Sequence, residues 1–462
     1  MNDHKFTILA PAGCDREMQY VISWVFDDVL GIPFKVMFEQ NYQNFEITHG
    51  GSARKLVIDG SFVRQTKSEW LKPQSLCCYS EADIPFLDRR VACLYGKQLD
   101  SGLWLNESDD LTELGIDLFG SLFFLMSRYE EAVTLSRDFH GRFIAADSVV
   151  PVSVIASRAI GNELIELLWK LLSRSFPFLT RKLRCFRVLP SHDIDHPSYY
   201  AGRHWTVITK STLKLAYNER DVLLPLNHMC GAGMHYLGNY GMDPWQTHEW
   251  IMDQSEAIDT RSAFYYIPEV TNEKMDSGLD LCHPQVKMQI KRIHERGHEI
   301  GLHPGYLTME NPLMIGSGAS KLRRLLYELG ISQNEIGGRQ HFLKWSTPQS
   351  AIAWQQAGLQ YDSSLGYAEL AGFRCGLCYE YPLYDLYARQ SLELRERPLV
   401  VMECSVIDKR YEGLGHGGQA FDRMSALKAE CRKYHGDFTI LWHNHRFTDR
   451  RERRLYRAVL DE

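Results

Sequence analysis

The chain has 462 residues, 44% of them hydrophobic and 24% charged, with a formal net charge of -6. That length exceeds one ordinary core and points to two domains of a soluble globular type. The mildly acidic balance, with no clustered basic face, excludes a phosphate-backbone binder, so no nucleic-acid partner is expected. The longest apolar run, 118–126, falls far short of the ~20 residues of a membrane span.

The opening MNDHKFTILAPAG lacks the charged start and long apolar stretch of a secretory signal. The 11 cysteines are scattered, and Cys375 with Cys378 is the nearest approach to a metal-type pair. Reduced thiols and a cytoplasmic location are therefore expected.

KFTILA (5–10) reads as a strand. Met18, Val21, Ile22 and Val25 then recur at helical spacing, and Gly31 ends that helix. PFKVMF (33–38) and KLVID (55–59) read as further strands. A strongly apolar helix is expected over 116–132, and another where Leu164, Leu167, Leu168 and Leu171 align. The domain boundary falls near 179–183, giving a smaller α/β domain at 1–180 and a second domain at 181–462.

Beyond Leu183 the pattern alternates strand and helix. The expected strands are 185–190, SAFYYIP (262–268), HEIGLH (298–303), LVVMECSVI (399–407) and FTILWHN (438–444). Between them lie helical stripes through Val286, Ile290 and Ile293, through Leu322, Leu325, Leu326 and Leu329, and through Phe421, Met424, Leu427 and Cys431. Asp243 with Pro244 looks like a helix start. Such alternation implies a parallel sheet with helical crossovers. Seven or so strands in this span suit a closed or nearly closed barrel, with 198–242 as an insertion over its mouth.

Chemistry-bearing residues sit where these segments end: SHDIDH (191–196), EIGLHPGY (299–306), RQHFLKW (339–345) and LWHNHRF (441–447). Parallel strands in a barrel bring their C-terminal ends to one face, so these groups are expected to meet. Asp193 and Asp195 are two apart and share a face if extended. One can hold a cation while the other takes a proton from the cation's water. His303 becomes a metal-ligand candidate beside them. Arg339 and His341 share a face if the segment is extended, and an inward arginine can keep a carboxylate ionised. His443 can donate a proton to a leaving amine, with His445 behind it or at the surface. Trp345, Trp442, Tyr306 and Tyr367 are candidates for stacking on sugar rings. The glycine-rich GLGHGG (413–418) follows no phosphate-cradle pattern.

At these residues the chain resembles the polysaccharide deacetylase (NodB-homology) family, one segment per family motif and in the right order over about 185–449. YDSSLGY (361–367) and GFRCG (372–376) also resemble a branch of it. DLFGSLFFLMSRYEE (117–131) and DFHGRF (138–143) resemble an uncharacterised domain that precedes that branch. The resemblance implies a distorted seven-stranded (β/α) barrel, a divalent metal that is usually zinc, and removal of acetyl groups from an amino-sugar-containing saccharide. Carried over by motif, Asp193 is the base, Arg339 orients it and His443 is the general acid. Asp195 and His303 become metal ligands. The family's second metal histidine falls at Leu307, which cannot bind metal. His341, His192 and His196 are the candidates for a third ligand, with His341 favoured. If none serves, the alternative is a catalytically degenerate carbohydrate-binding protein. Glycoside hydrolysis would need a second carboxyl such as Glu403 and leaves the histidines without a role.

Overall fold

Two sheets organise the protein, and the second carries the candidate chemistry. The computed structural model describes residues 5–219 and 223–462. The first four residues of the segment read for a signal, and 220–222 of the expected insertion, lie outside the described residues.

The N-terminal strands are β1 (Phe6–Pro11), β2 (Phe34–Glu39), β3 (Phe45–His49), β4 (Lys55–Ile58), β5 (Ser80–Ala82), β6 (Val91–Cys93), β7 (Leu105–Glu107) and β8 (Leu111–Leu114). Six of them form one mixed sheet in the order β2-β1-β3-β4-β8-β7, and β5 and β6 pair separately. Alternation in β1 buries Phe6, Ile8 and Ala10 against this sheet's helices. The helix expected over 116–132 is broken into Leu118–Met126 and Tyr129–Val133. Asp117 caps the first piece, accepting from the Gly120 N–H at 2.7 Å. Arg128 interrupts it at φ 51°. Its buried guanidinium donates to Glu130 and Glu131, and Glu131 also takes two bonds from Arg374 in the C-terminal half. Apolar periodicity carries no signal for a buried ion network, so the break was invisible in it.

The later strands are β9 (Arg187–Ile194), β10 (Ala263–Tyr266), β11 (Glu299–Leu302), β12 (Tyr361–Asp362), β13 (Tyr381–Asp385), β14 (Gln390–Glu396), β15 (Val401–Met402) and β16 (Asp437–Leu441). Five run parallel in the order β11-β10-β9-β16-β15. β10 and β16 are buried along their whole length, which is why they read as continuous apolar runs rather than alternating ones. Single parallel bridges from Leu302 to Gly338 and from Gly338 to Asp362 extend the pairing to β12, with β14 and β13 beyond it. Gly338 is required at that crossing: a Cβ there would lie 1.9 Å from the Leu302 carbonyl oxygen. The architecture is mixed α/β. Among the described residues no ladder joins β15 to β13 or β14.

Several local expectations are corrected. The segment 399–407 is a strand only at Val401–Met402, and a short helix takes over at Glu403–Ile407. The 339–345 segment is not extended. After the bridge at Gly338 it makes a tight turn over His341–Leu343, with Phe342 at φ 62° and Leu343 at φ 54°. Asp243 does not start a helix. Thr247 precedes the helix His248–Glu256, while Asp243 accepts from the Ser198 hydroxyl (2.5 Å) and the Tyr199 N–H (3.0 Å). The segment 198–242 contains two helices, Trp205–Glu219 and Leu223–Tyr236.

A candidate metal centre at the ends of the parallel strands

The C-terminal ends of β9, β11, β15 and β16, with the turn after Gly338, converge on a cavity of about 210 Å³. Its walls include Asp193, Asp195, His303, His341 and His443. That volume is below the roughly 300–1,000 Å³ of sites that enclose a whole drug-sized ligand, so it admits one end of a longer molecule. A wider groove of about 730 Å³ lies elsewhere, between the helix at Asp15–Ser23 and the β13–β14 hairpin. Among the described residues it gathers no convergent set of ligating groups. Among the described residues, none of 198–242 lines the smaller cavity.

Each functional side chain is held by a specific partner. Arg339 is fully buried and donates from Nη1 to Asp193 Oδ1 at 2.8 Å. It also donates from Nη2 to the Ser191 and Ser363 hydroxyls and from Nε to the Ser363 carbonyl. This fixes both the arginine and the carboxylate it faces. His303 Nδ1 lies 2.6 Å from the Arg339 carbonyl oxygen, to which it can only donate, so Nε2 turns inward with its lone pair. His341 Nδ1 lies 2.7 Å from Asp276 Oδ1. Asp276 is itself locked by Thr271, Asn272 and the Tyr306 N–H. The pair is the carboxylate–histidine arrangement that orients metal-ligating imidazoles.

The inward atoms meet. Asp195 Oδ1 lies 3.2 Å from His303 Nε2 and 3.6 Å from His341 Nε2, and one ligand atom from each of the three residues falls within a 4.8 Å span. Asp195 Oδ1 and His303 Nε2 are buried without a hydrogen-bond partner among the described residues. Acceptors so close repel unless positive charge lies among them. The donor set, two imidazole nitrogens and a carboxylate oxygen, matches three-ligand catalytic sites for zinc. Burial opposes ionisation of Asp195, but His341, His303 and His443 outweigh it and hold its carboxyl well below the usual range. For His303, burial disfavours the charged form, yet Asp193 and Asp195 raise its pKa.

His443 closes the far side, with Nε2 3.5 Å from Asp195 Oδ2 and Nδ1 2.5 Å from Glu403 Oε1. Burial again works against the charged imidazole, but Glu403 raises its pKa well above the usual value. Glu403 is fully buried. Desolvation would raise its pKa, but His443 and then Arg446 hold it down at about 2. Sequence reasoning placed Glu403 in mid-strand and gave it no role beside the histidines. Only the contact across β15 and β16 shows it as the partner of His443.

The other candidates go elsewhere. His192 points away from the cluster: Nδ1 faces the Trp442 carbonyl, Nε2 lies near Ser262 and Tyr456, and burial lowers its pKa to about 3. His196 packs on Trp245 and His445, with Nε2 near Ser277. Leu307 is not among the residues lining the cavity, and its N–H donates to the Thr271 hydroxyl. His445 lines the cavity, its pKa lowered to about 3, first by burial and then by His443. Trp345, Trp442 and Tyr367 are buried in the core and cannot stack on a sugar, and Tyr306 packs on Phe342.

Comparison with known proteins adds little to this geometry. A family model described as a family of unknown function (DUF7033) matches residues 6–177. No curated protein is matched by the chain. Two solved structures resemble it. One is assigned as a polysaccharide deacetylase from Mycobacterium smegmatis, at 14% identity and a TM-score of 0.38, covering 60% of this chain and 83% of that one. The other is a Puue allantoinase, at 11% identity and a TM-score of 0.35 with the same coverage. Likenesses at these scores carry no argument about fold or chemistry. Among the described residues no helix is long and apolar enough to cross a membrane.

Proposed function

We propose that the chain is a metal-dependent hydrolase that removes N-acetyl groups from an amino-sugar-containing saccharide or saccharide precursor. On this reading, residues 181–462 form a distorted seven-stranded barrel, 1–180 form a smaller α/β domain, and the site lies at the barrel mouth. The observation that carries the reading is the convergence of Asp195 Oδ1, His303 Nε2 and His341 Nε2, two of them buried without hydrogen-bond partners among the described residues. The motif resemblance supplies the reaction class.

A divalent metal held by Asp195, His303 and His341, zinc by its donor set, supplies a Lewis acid and brings the pKa of water toward ~7. The remaining steps belong to side chains. Asp193, oriented by Arg339, accepts the proton of the attacking water. His443, charged through Glu403, gives its proton to the departing amine nitrogen. The products are acetate and a free amino sugar. Leu307 motivates the alternative of a degenerate binding protein. A third ligand supplied from the turn after Gly338 favours the enzyme.

Release of acetate from N-acetylated hexosamine oligosaccharides, abolished by chelation and by Asp193→Ala, is the expected result. Activity surviving both treatments would refute the proposal.

A further inference from the structure

The favoured third ligand, His341, sits on a turn that is closed by its own backbone bonds, Leu343 N–H to the Gln340 carbonyl and Lys344 N–H to the His341 carbonyl, but is strained. Phe342 and Leu343 are consecutive non-glycine residues in the left-handed region, which side chains rarely adopt without outside support. Much of that support comes from far away in the chain, at residues 138–143, within the N-terminal part.

This segment is a rigid knot. The Asp138 carboxylate accepts from the His140 and Arg142 N–H groups and from Arg142 Nε. Two backbone bonds tie Asp138 to Gly141 and Arg142, and Gly141 turns at φ 78°. From the knot, Arg142 Nη1 donates to the Phe342 carbonyl at 3.1 Å. His140 packs on the Phe342 ring at 5.0 Å, and its Nδ1 lies 2.9 Å from the Tyr306 hydroxyl. Tyr306 in turn donates its backbone N–H to Asp276, the carboxylate that orients His341. The knot thus grips the turn bearing His341 and the residue that helps fix its carboxylate partner.

We propose that residues 138–143 are a positioning element for the metal site, with Arg142 and His140 holding the His341 turn so that its Nε2 faces Asp195 and His303. The N-terminal part then completes the site of the C-terminal part, through a ligand outside the place where the family resemblance puts one. This rests on the metal reading above.

Cobalt(II) titration of the full chain, read by visible absorption, tests it with the metal alone. Arg142→Ala weakens cobalt affinity about tenfold, as loss of outer support for a ligand does, and alters the ligand-field bands. His140→Leu acts in the same direction and serves if Arg142→Ala does not fold. Leu135→Ala, outside the knot and 92% exposed, leaves affinity unchanged. In a His341→Ala background, adding Arg142→Ala produces no further loss, because the element acts through His341. Unchanged cobalt affinity in both Arg142→Ala and His140→Leu overturns the inference and leaves the metal reading standing. So does an undiminished loss in the His341→Ala background. A wild-type chain that binds no cobalt overturns both.

Discussion

Glu403→Gln keeps the shape of a buried side chain and deletes the charge that faces His443 at 2.5 Å. Glu403 is fully buried, and its carboxyl is held at about 2 against an ordinary 4.5, His443 and Arg446 overcoming the cost of burial. At ~1.36 kcal/mol per pH unit, that gap corresponds to about 3 kcal/mol of preference for the charged carboxylate. Because the folded value is depressed, this stabilisation is present above 4.5 and is lost as pH falls toward 2. His443 has the opposite sign: its raised value favours the charged imidazole below the usual 6.5 and lets it go only at higher pH. In the variant, burial acts on His443 without its largest opposing charge and favours the neutral ring, so the proton for the leaving amine is depleted at pH 7. If about 3 kcal/mol passes into the barrier, kcat at pH 7 falls roughly 10²-fold, within the range for loss of a general acid. Activity recovers in part as pH is lowered. Acetate release from pH 5 to 9 and a nitrogen-15 imidazole titration of His443 are the assays, the second independent of substrate. A kcat within threefold of wild type with an unshifted pH profile would refute the reasoning.

Asp193→Asn removes the proposed base while leaving Arg339 its other partners, so kcat falls roughly 10³-fold while metal affinity changes little. Parallel turnover and metal titration check that split. Glu131→Gln leaves the buried guanidinia of Arg128 and Arg374 without their shared carboxylate. Urea denaturation should show about 3–5 kcal/mol of lost stability, the usual cost of breaking a buried pair. Glu131 is held at about 2 by Arg374 and Arg128 despite full burial, so the wild-type chain loses this contribution as pH falls below 4.5. A fragment of residues 181–462 loses the Glu131–Arg374 and Glu17–Arg389 bridges and half of a continuous apolar core. It should unfold without a sharp cooperative transition in calorimetry, and a wild-type-like transition would contradict this.

Legibility in the sequence depended on where local chemistry is concentrated. Strand ends rich in Asp and His pointed to 193, 195, 303 and 443, and the parallel sheet brings them to one cavity. His341 also lines it and Arg339 backs it through Asp193, but not as neighbours on an extended face. The Gly337–Gly338 pair allows a close crossing between β11 and β12, and the left-handed turn at Phe342 and Leu343 redirects the chain beyond it. Backbone conformations of that kind leave no periodic signature. Glu403 stayed hidden because its role depends on the pairing of β15 with β16, a contact between residues 40 apart. Asp276 lies in no motif, and Arg142 lies in DFHGRF, a segment with no chemistry legible in its residues; both were hidden for the same reason, since their contacts are with His341 and its turn. The break at Arg128 was concealed by its surroundings, where every apolar residue fits one helix and only the paired charges argue otherwise.

Metal stoichiometry tests the central claim most directly. Elemental analysis of the purified wild-type chain after zinc loading and desalting should find one zinc per chain, and the Asp195→Ala, His303→Ala double variant, still folded by circular dichroism, should hold none. A wild-type chain without zinc after loading, or a double variant that keeps its full complement, would contradict the account.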